Sequence, residues 1–155
     1  RTTADDALTQ ITEKGTNPVY NYVTQIQAAE QAQNMYNSSK FTSDLMNSYA
    51  WDTATLFLQT CGEEKYSIKT SVNYSLASKG TNSSDYTGTR DTVCNVYDMA
   101  SNVLEWTTET SDYSDFPCVY RGGLCNNSGH CTSDRRDDLT SYSSVGNGFR
   151  PLLFV

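Results

Sequence analysis

Two cysteines and the only histidine of the chain lie within seven residues of one another: Cys125, His130 and Cys131. Thiolate and imidazole groups are ligands for zinc or Cu(I), and two thiols can also form a disulfide. Only three soft ligands lie close together, and their spacing fits no structural zinc pattern. A copper-binding thiol pair and, if the protein is exported, a Cys125–Cys131 disulfide both stay open.

These residues belong to a segment, Leu124 to Asn147, that differs from the rest of the chain. Its 24 residues show no period of two or of 3.6, and they contain three aspartates, two arginines and many Ser and Asn. The framework-like runs Val119-Tyr120-Arg121-Gly122-Gly123 and Gly148-Phe149-Arg150-Pro151-Leu152 bracket the segment. A scaffold presents a binding or catalytic surface in this way, so we expect the function to reside in the segment.

Length and composition indicate one domain that does not bind nucleic acid and does not itself insert into a membrane. A chain of 155 residues buries roughly 68–70% of its unfolded surface and needs no disulfide for stability. The net charge of -7, with 11 Lys and Arg, argues against a phosphate-binding face. No stretch approaches the roughly 20 apolar residues of a membrane helix. Because the first residues hold neither an initiating Met nor an apolar signal core, we expect upstream sequence to be missing.

The remaining cysteines leave the redox state open. The chain has five cysteines, an odd number, and a Cys94–Cys118 bridge competes with the interpretation that both are buried thiols.

The elements that would position the segment are two helices and several short strands. Residues 1–19 form an irregular lead-in before a single domain over 20–155. A first helix is predicted from Tyr20 to about Tyr36. A second begins near Asn47-Ser48, buries Trp51 with its neighbours one turn on, and ends by Cys61-Gly62. After loop-rich residues 63–92, strands are predicted at Asn95–Tyr97, Val103–Thr108, Val119–Arg121 and Phe149–Phe154.

Three motifs in order resemble the formylglycine-generating enzyme (sulfatase-modifying factor) family. The run from Asp98 to Thr107 is similar to its D-hydrophobic-x-G-N-V-W-E-W-T signature, with Ser101 and Leu104 replacing Gly and Trp. Arg121-Gly122-Gly123 resembles its RGGS motif, and Gly148-Phe149-Arg150 its GFR motif. The resemblance implies an α+β protein with a C-type-lectin-like fold of this enzyme's type: two helices and short antiparallel sheets joined by long loops.

The same resemblance implies an alternative function, a copper-dependent thiol oxidase. The family's oxidase uses two cysteines, five apart, after the RGG motif. Here Cys125 and Cys131 are six apart, and Cys125 follows Gly123 by only two residues. The resemblance also implies a calcium site near Asn102 and Glu105, but Ca²⁺ requires six to eight oxygen ligands, and the alternative is that Glu105 makes an internal link.

The segment also resembles the variable region of diversity-generating retroelement proteins, a second family with this fold. In these elements a reverse transcriptase replaces adenines, chiefly in AAY and TAY codons. Adenine replacement in AAY never yields Lys, Glu, Gln, Met or Trp, and residues 124–147 contain none of these five types. The position between an RGG strand and a carboxyl-terminal GFRP strand resembles that family closely. The resemblance implies a hypervariable binding protein rather than an enzyme.

On this interpretation eleven residues are products of diversification and form the ligand-binding surface. They are Leu124, Cys125, His130, Cys131, Asp134, Arg136, Asp137, Asp138, Leu139, Tyr142 and Val145. Ser128-Gly129, Thr132-Ser133 and Arg135 are interpreted as scaffold between them. Cys125, His130 and Cys131 then become accidental neighbours, and we predict no metal and no cofactor.

The ligand is expected to be a protein or another component of a cell surface. The Glu-Pro-Asn or Gln-Pro-Asp triplet of calcium-dependent lectins is absent, which argues against a metal-bridged sugar site. The resemblance implies a bacterial or phage protein located on a cell surface, secreted or in a virion.

Overall fold

The computed structural model describes residues 20–36, 38, 40–70, 91–125, 127 and 129–155, and all structural statements refer to these residues. The lead-in over 1–19 and most of the loop-rich stretch, 71–90, lie outside them. The described part of that stretch contains a short 3-10 helix, Tyr66–Ile68.

Two α-helices precede the main sheet. Helix α1 spans Gln25–Met35, and Thr24 caps it: its side chain accepts from the backbone of Gln27, whose own side chain accepts from the Thr24 backbone. The predicted start at Tyr20 was wrong, because Tyr22 has a φ of 57°, which breaks a helix.

Helix α2 spans Ser48–Cys61 and confirms its prediction. Asn47 accepts a hydrogen bond from the backbone of Ala50, and Gly62 ends the helix. Trp51, Thr55 and Leu58 are its buried residues.

Eight short strands form three sheets. They are β1 (Thr42–Leu45), β2 (Thr92–Val93), β3 (Val96–Tyr97), β4 (Leu104–Thr110), β5 (Cys118–Arg121), β6 (Arg135–Asp138), β7 (Asn147–Phe149) and β8 (Pro151–Phe154). The largest has the order β6-β5-β4-β7, with β7 parallel to β4 and the other pairs antiparallel. Strands β1 and β8 form a second, antiparallel sheet, and β2 and β3 form a hairpin.

The predicted single strand Phe149–Phe154 was wrong. Arg150 separates β7, which pairs with β4, from β8, which pairs with β1. Pro151 lacks a backbone N–H, and the chain changes sheets at this point. Glu105 in the middle of the fold therefore has Arg121 of β5 on one side and Gly148 of β7 on the other.

Two apolar clusters hold the layers together. The first contains Trp106 of β4, Cys118 of β5 and the Ala28–Ala32 face of α1. The second contains Trp51 and Leu58 of α2 with Met99 and Tyr66. Burying each large apolar side chain contributes about 1.5–3 kcal/mol, so these clusters fix the sheet that carries the segment of interest.

Candidate ligand-binding surface

The RGG motif brings the chain into contact with the loop after β3. Gly122 has a φ of 90°, in the left-handed region that favours glycine. A Cβ on Gly123 would lie 2.0 Å from the carbonyl oxygen of Ala100, far inside van der Waals contact. Both glycines are therefore required by backbone packing, and Leu124 begins the segment from a fixed point.

The GFR motif closes the segment through a buried ion pair. Arg150 Nη2 donates to Glu105 Oε1 at 2.7 Å and to the carbonyl of Tyr97 at 2.9 Å. Its guanidinium also lies 5.6 Å from the centre of the Trp51 ring. Glu105 thus makes the internal link predicted as the alternative to calcium binding, while Asn102 Nδ2 donates to Asp98 Oδ2 at 3.2 Å.

Between these two points, the segment is not wholly irregular. Arg135–Asp138 forms β6, the edge strand of the main sheet within the described residues, in register with β5. Arg135, interpreted as scaffold, hydrogen-bonds to Glu109 and donates to the carbonyl of Thr110 at 3.1 Å. The strand was missed because four charged residues carry no apolar alternation, and pairing with β5 alone defines it.

The structure separates the eleven predicted residues into two groups. Nine keep part of their side chains at the surface and are called the variable surface below. They are Leu124, Cys131, Asp134, Arg136, Asp137, Asp138, Leu139, Tyr142 and Val145. Cys125 and His130 are buried, with exposed fractions of 1% and 8%. Their place on a contact surface is corrected accordingly: both side chains contribute to the interior beneath it.

His130 and Cys131 meet at Asp134, at one end of the variable surface. Cys131 Sγ donates to Asp134 Oδ1 at 3.2 Å, and His130 Nδ1 lies 3.5 Å from Asp134 Oδ2. Arg136 Nη2 lies 3.6 Å from the same carboxylate oxygen. Burial, followed by the charge of Arg136, lowers the pKa of His130, while Asp134 acts in the opposite direction.

The cysteines carry no cross-link. All five lie within the described residues and are reduced thiols, with Cys94 exposed at the tip of the β2–β3 hairpin and Cys118 buried. Among the described residues, no group of three or more His, Cys, Asp and Glu side chains is arranged to hold a metal ion. The Asp134 cluster is a polar group in which Asp134 accepts a hydrogen bond from the partly exposed thiol of Cys131.

Aromatic rings form the other end of the variable surface. Trp106 is fully buried, and the rings of Tyr120 and Tyr142 contact it edge to face at centroid distances of 5.4 and 6.5 Å. Tyr142 remains 37% exposed and Leu139 45% exposed. The sequence analysis assigned Tyr120 to the framework strand. In the structure Tyr120 lies on the same face of β5 as Cys118, where it contacts Trp106.

Thr132, interpreted as scaffold, lies in the interior. It is fully buried, its backbone N–H donates to Lys69, and its carbonyl accepts from the indole of Trp51 at 2.9 Å. Ser133 donates from its backbone to Ser67. Ser128 lies outside the described residues, whereas Gly129 is exposed.

The fold is C-type-lectin-like and is shared with solved proteins of low sequence identity. Treponema denticola variable protein 1 has a TM-score of 0.62 at 14% identity, and the match covers 96% of this chain and 76% of that one. CarF gives 0.62 at 14% identity, covering 86% of this chain and 66% of its own, and PvdO from Pseudomonas aeruginosa gives 0.61 at 15%, covering 84% and 60%.

The chain thus spans less than two thirds of the length of CarF and of PvdO. No family model matches the sequence, and no curated protein sequence is significantly similar to it. In the described part of the chain, neither α-helix combines the length and apolar character needed to span a bilayer.

Proposed function

We propose that this chain is the hypervariable ligand-binding protein of a diversity-generating retroelement, and that its variable surface recognises a protein or another cell-surface ligand. The observation that carries the proposal is the composition of residues 124–147, which lack all five amino acids that adenine replacement in AAY codons cannot produce. The fold shared with Treponema denticola variable protein 1 supports it.

The placement of the segment supports the same function. Its ends are fixed by the RGG backbone contacts and by the Arg150–Glu105 pair, both of which lie outside the segment. Nine of its eleven predicted variable residues are at least partly exposed. Exposed substitutions usually change stability by less than about 0.5 kcal/mol, so binding specificity can change while the frame persists.

Individual residues of the variable surface have different roles in this proposal. Tyr142, Leu139 and Leu124 supply apolar contact area, as anchors do in other interfaces. Arg136 and the three aspartates select partners by charge. We further propose a bacterial or phage protein that acts at a cell surface, after secretion or in a virion.

A DNA comparison tests the proposal directly. A near-copy of the codons for residues 124–147 should lie beside a reverse-transcriptase gene, and it should differ from the coding sequence only where the copy has adenine. Differences spread equally over all four template bases would refute the proposal.

A protein experiment separates a binder from a thiol oxidase. The variant in which Cys125 and Cys131 are both replaced by Ser should retain its fold and its binding to a ligand selected beforehand with the unaltered protein. An oxidase with the same two replacements would lose all turnover. Changing Tyr142, Arg136 and Leu139 together to Ala should abolish binding of that ligand. Unchanged binding by the triple variant would favour a structural role without a specific ligand.

A further inference from the structure

The aromatic end of the variable surface also carries a carboxylate, and we call Tyr120, Asp138 and Tyr142 the aromatic-acidic corner. In the β5–β6 register, Asp138 lies opposite Cys118, and Arg136 lies opposite Tyr120. Residues two apart on a strand share a face, so Asp138 lies on the same side of the sheet as Tyr120. The buried ring of Trp106 contacts the rings of both Tyr120 and Tyr142.

The electrostatics of Tyr120 agree with this placement. Burial raises the pKa of Tyr120 first, the charge of Asp138 and the neighbouring Tyr142 raise it further, and the charge of Arg136 lowers it. Asp138 acts likewise on Cys118 after burial. The register and these pKa shifts together place the Asp138 carboxylate within electrostatic range of Tyr120.

Asp138 has no cationic partner at ion-pair distance among the residues that the structure describes. Its Oδ1 accepts from the backbone N–H of Leu139 at 2.9 Å, and no Lys or Arg nitrogen of the described residues lies within 4.0 Å of its oxygens. Arg136, the nearest cation along the strand, is engaged by Asp134 at 3.6 Å and by the carbonyl of Gly129 at 3.4 Å. The corner thus has a carboxylate without a direct ion pair beside two electron-rich rings, with Arg136 opposite Tyr120 in the register.

We infer that the aromatic-acidic corner binds the cationic group of a lysine or arginine side chain of a protein ligand. The carboxylate accepts hydrogen bonds from the cation, and the ring faces of Tyr120 and Tyr142 attract it while contacting its methylene stem. The net charge of -7 attracts a basic partner over a longer range. The inference rests on the proposed function and specifies the chemistry of its ligand.

Charged residues on an edge strand can also serve only to prevent strand pairing, so the test must separate the two roles. The probe is the blocked peptide acetyl-Gly-Lys-Gly-Arg-Gly-amide, followed by amide and aromatic NMR shifts of the protein. The matched peptide carries Glu in place of Lys and Arg. We expect the basic peptide to shift the ring signals of Tyr120 and Tyr142, and the acidic peptide to leave them unchanged.

Two carboxylates give a matched pair of charge-removing variants. Asp138→Asn should weaken binding of the basic peptide about tenfold, since it removes a partly desolvated ion pair beside two rings. Glu30→Gln removes the same charge from an exposed residue of α1, outside the variable surface, and should weaken it less than about twofold. The NMR spectra themselves report whether each variant is folded.

Equal weakening by the two variants, or absence of shifts at the tyrosine rings, would overturn the inference. Such a result leaves the proposed function standing if the adenine-specific template copy is found. A missing copy together with tenfold discrimination at Asp138 would refute the retroelement and retain the cation site.

Discussion

Cys125 and Leu139 provide a sharp test of how the structure divides residues 124–147. Both belong to the predicted variable set, yet their exposed fractions are 1% and 45%. Aspartate is a legitimate outcome of adenine replacement in an AAY codon, so Cys125→Asp and Leu139→Asp are both changes that diversification could generate. We expect the protein to tolerate only the second.

The expected loss at Cys125 follows from the cost of burying a carboxyl group. An aspartate in this position must stay neutral at pH 7, and holding its pKa above 7 from about 3.9 costs about 4 kcal/mol at about 1.4 kcal/mol per pKa unit. Total stabilities of single domains are about 5–15 kcal/mol. Leu139→Asp forfeits about half of a leucine's burial, about 1 kcal/mol.

Equilibrium unfolding in urea measures both changes. Trp51 and Trp106 are fully buried, so their fluorescence reports on unfolding. With a slope of about 2 kcal/mol per molar urea, Cys125→Asp should lower the midpoint by roughly 2 M and Leu139→Asp by roughly 0.5 M. Cys125→Ala controls for the loss of the thiol without a buried charge.

A Cys125→Asp midpoint within the error of Leu139→Asp would refute the reasoning. Both positions would then behave as surface, and the distinction between the variable surface and its interior support would fail. A large decrease in the urea midpoint for Leu139→Asp would also contradict the reasoning, because it would show that an exposed position after β6 does not tolerate substitution.

Three further changes probe the frame. Glu105→Gln leaves Arg150 without its carboxylate and should cost about 2–4 kcal/mol in thermal unfolding; an unaltered melting temperature would contradict the buried pair. Gly123→Ala should cost about 3 kcal/mol or prevent folding, because its Cβ meets a carbonyl oxygen, and a normal yield of stable protein would exclude that contact. The lowered pKa of His130 means that the unfolded chain binds its proton first as pH falls below about 6.5, so stability decreases toward pH 5. His130→Gln should flatten this dependence between pH 7 and 5, and an identical profile would disprove it.

Local signals in the sequence predicted α2 and the two strands at the centre of the sheet. Asn47 and Gly62 mark the ends of α2, and Trp51 defines its buried face. The start of α1 was missed because the positive φ of Tyr22 depends on tertiary contacts, among them the hydrogen bond from Asn21 Nδ2 to the carbonyl of Val145 at 2.9 Å. No local pattern carries that contact.

The site was predicted as a segment but not residue by residue. The absent residue types predict which segment is diversified, yet they say nothing about burial, which depends on contacts made elsewhere in the fold. Cys125 and His130 look like their neighbours in sequence and become interior only when the chain after Gly123 folds against the rest. Tyr120 was overlooked because it belongs to the framework strand β5, and only the structure shows that it is half-buried beside Tyr142 and Trp106.

The pairing of Glu105 with Arg121 and Gly148 on its two sides has a practical consequence. The segment leaves the sheet after Arg121 and returns to it at Gly148, and these two residues, on either side of Glu105, lie about 10 Å apart. A segment of different length or sequence can therefore be inserted between two ends whose separation stays constant. Lengthening a flexible connection costs only about 0.6 kcal/mol per doubling. The turn after Asp138 is therefore a natural point for grafting foreign recognition loops of different lengths onto this scaffold.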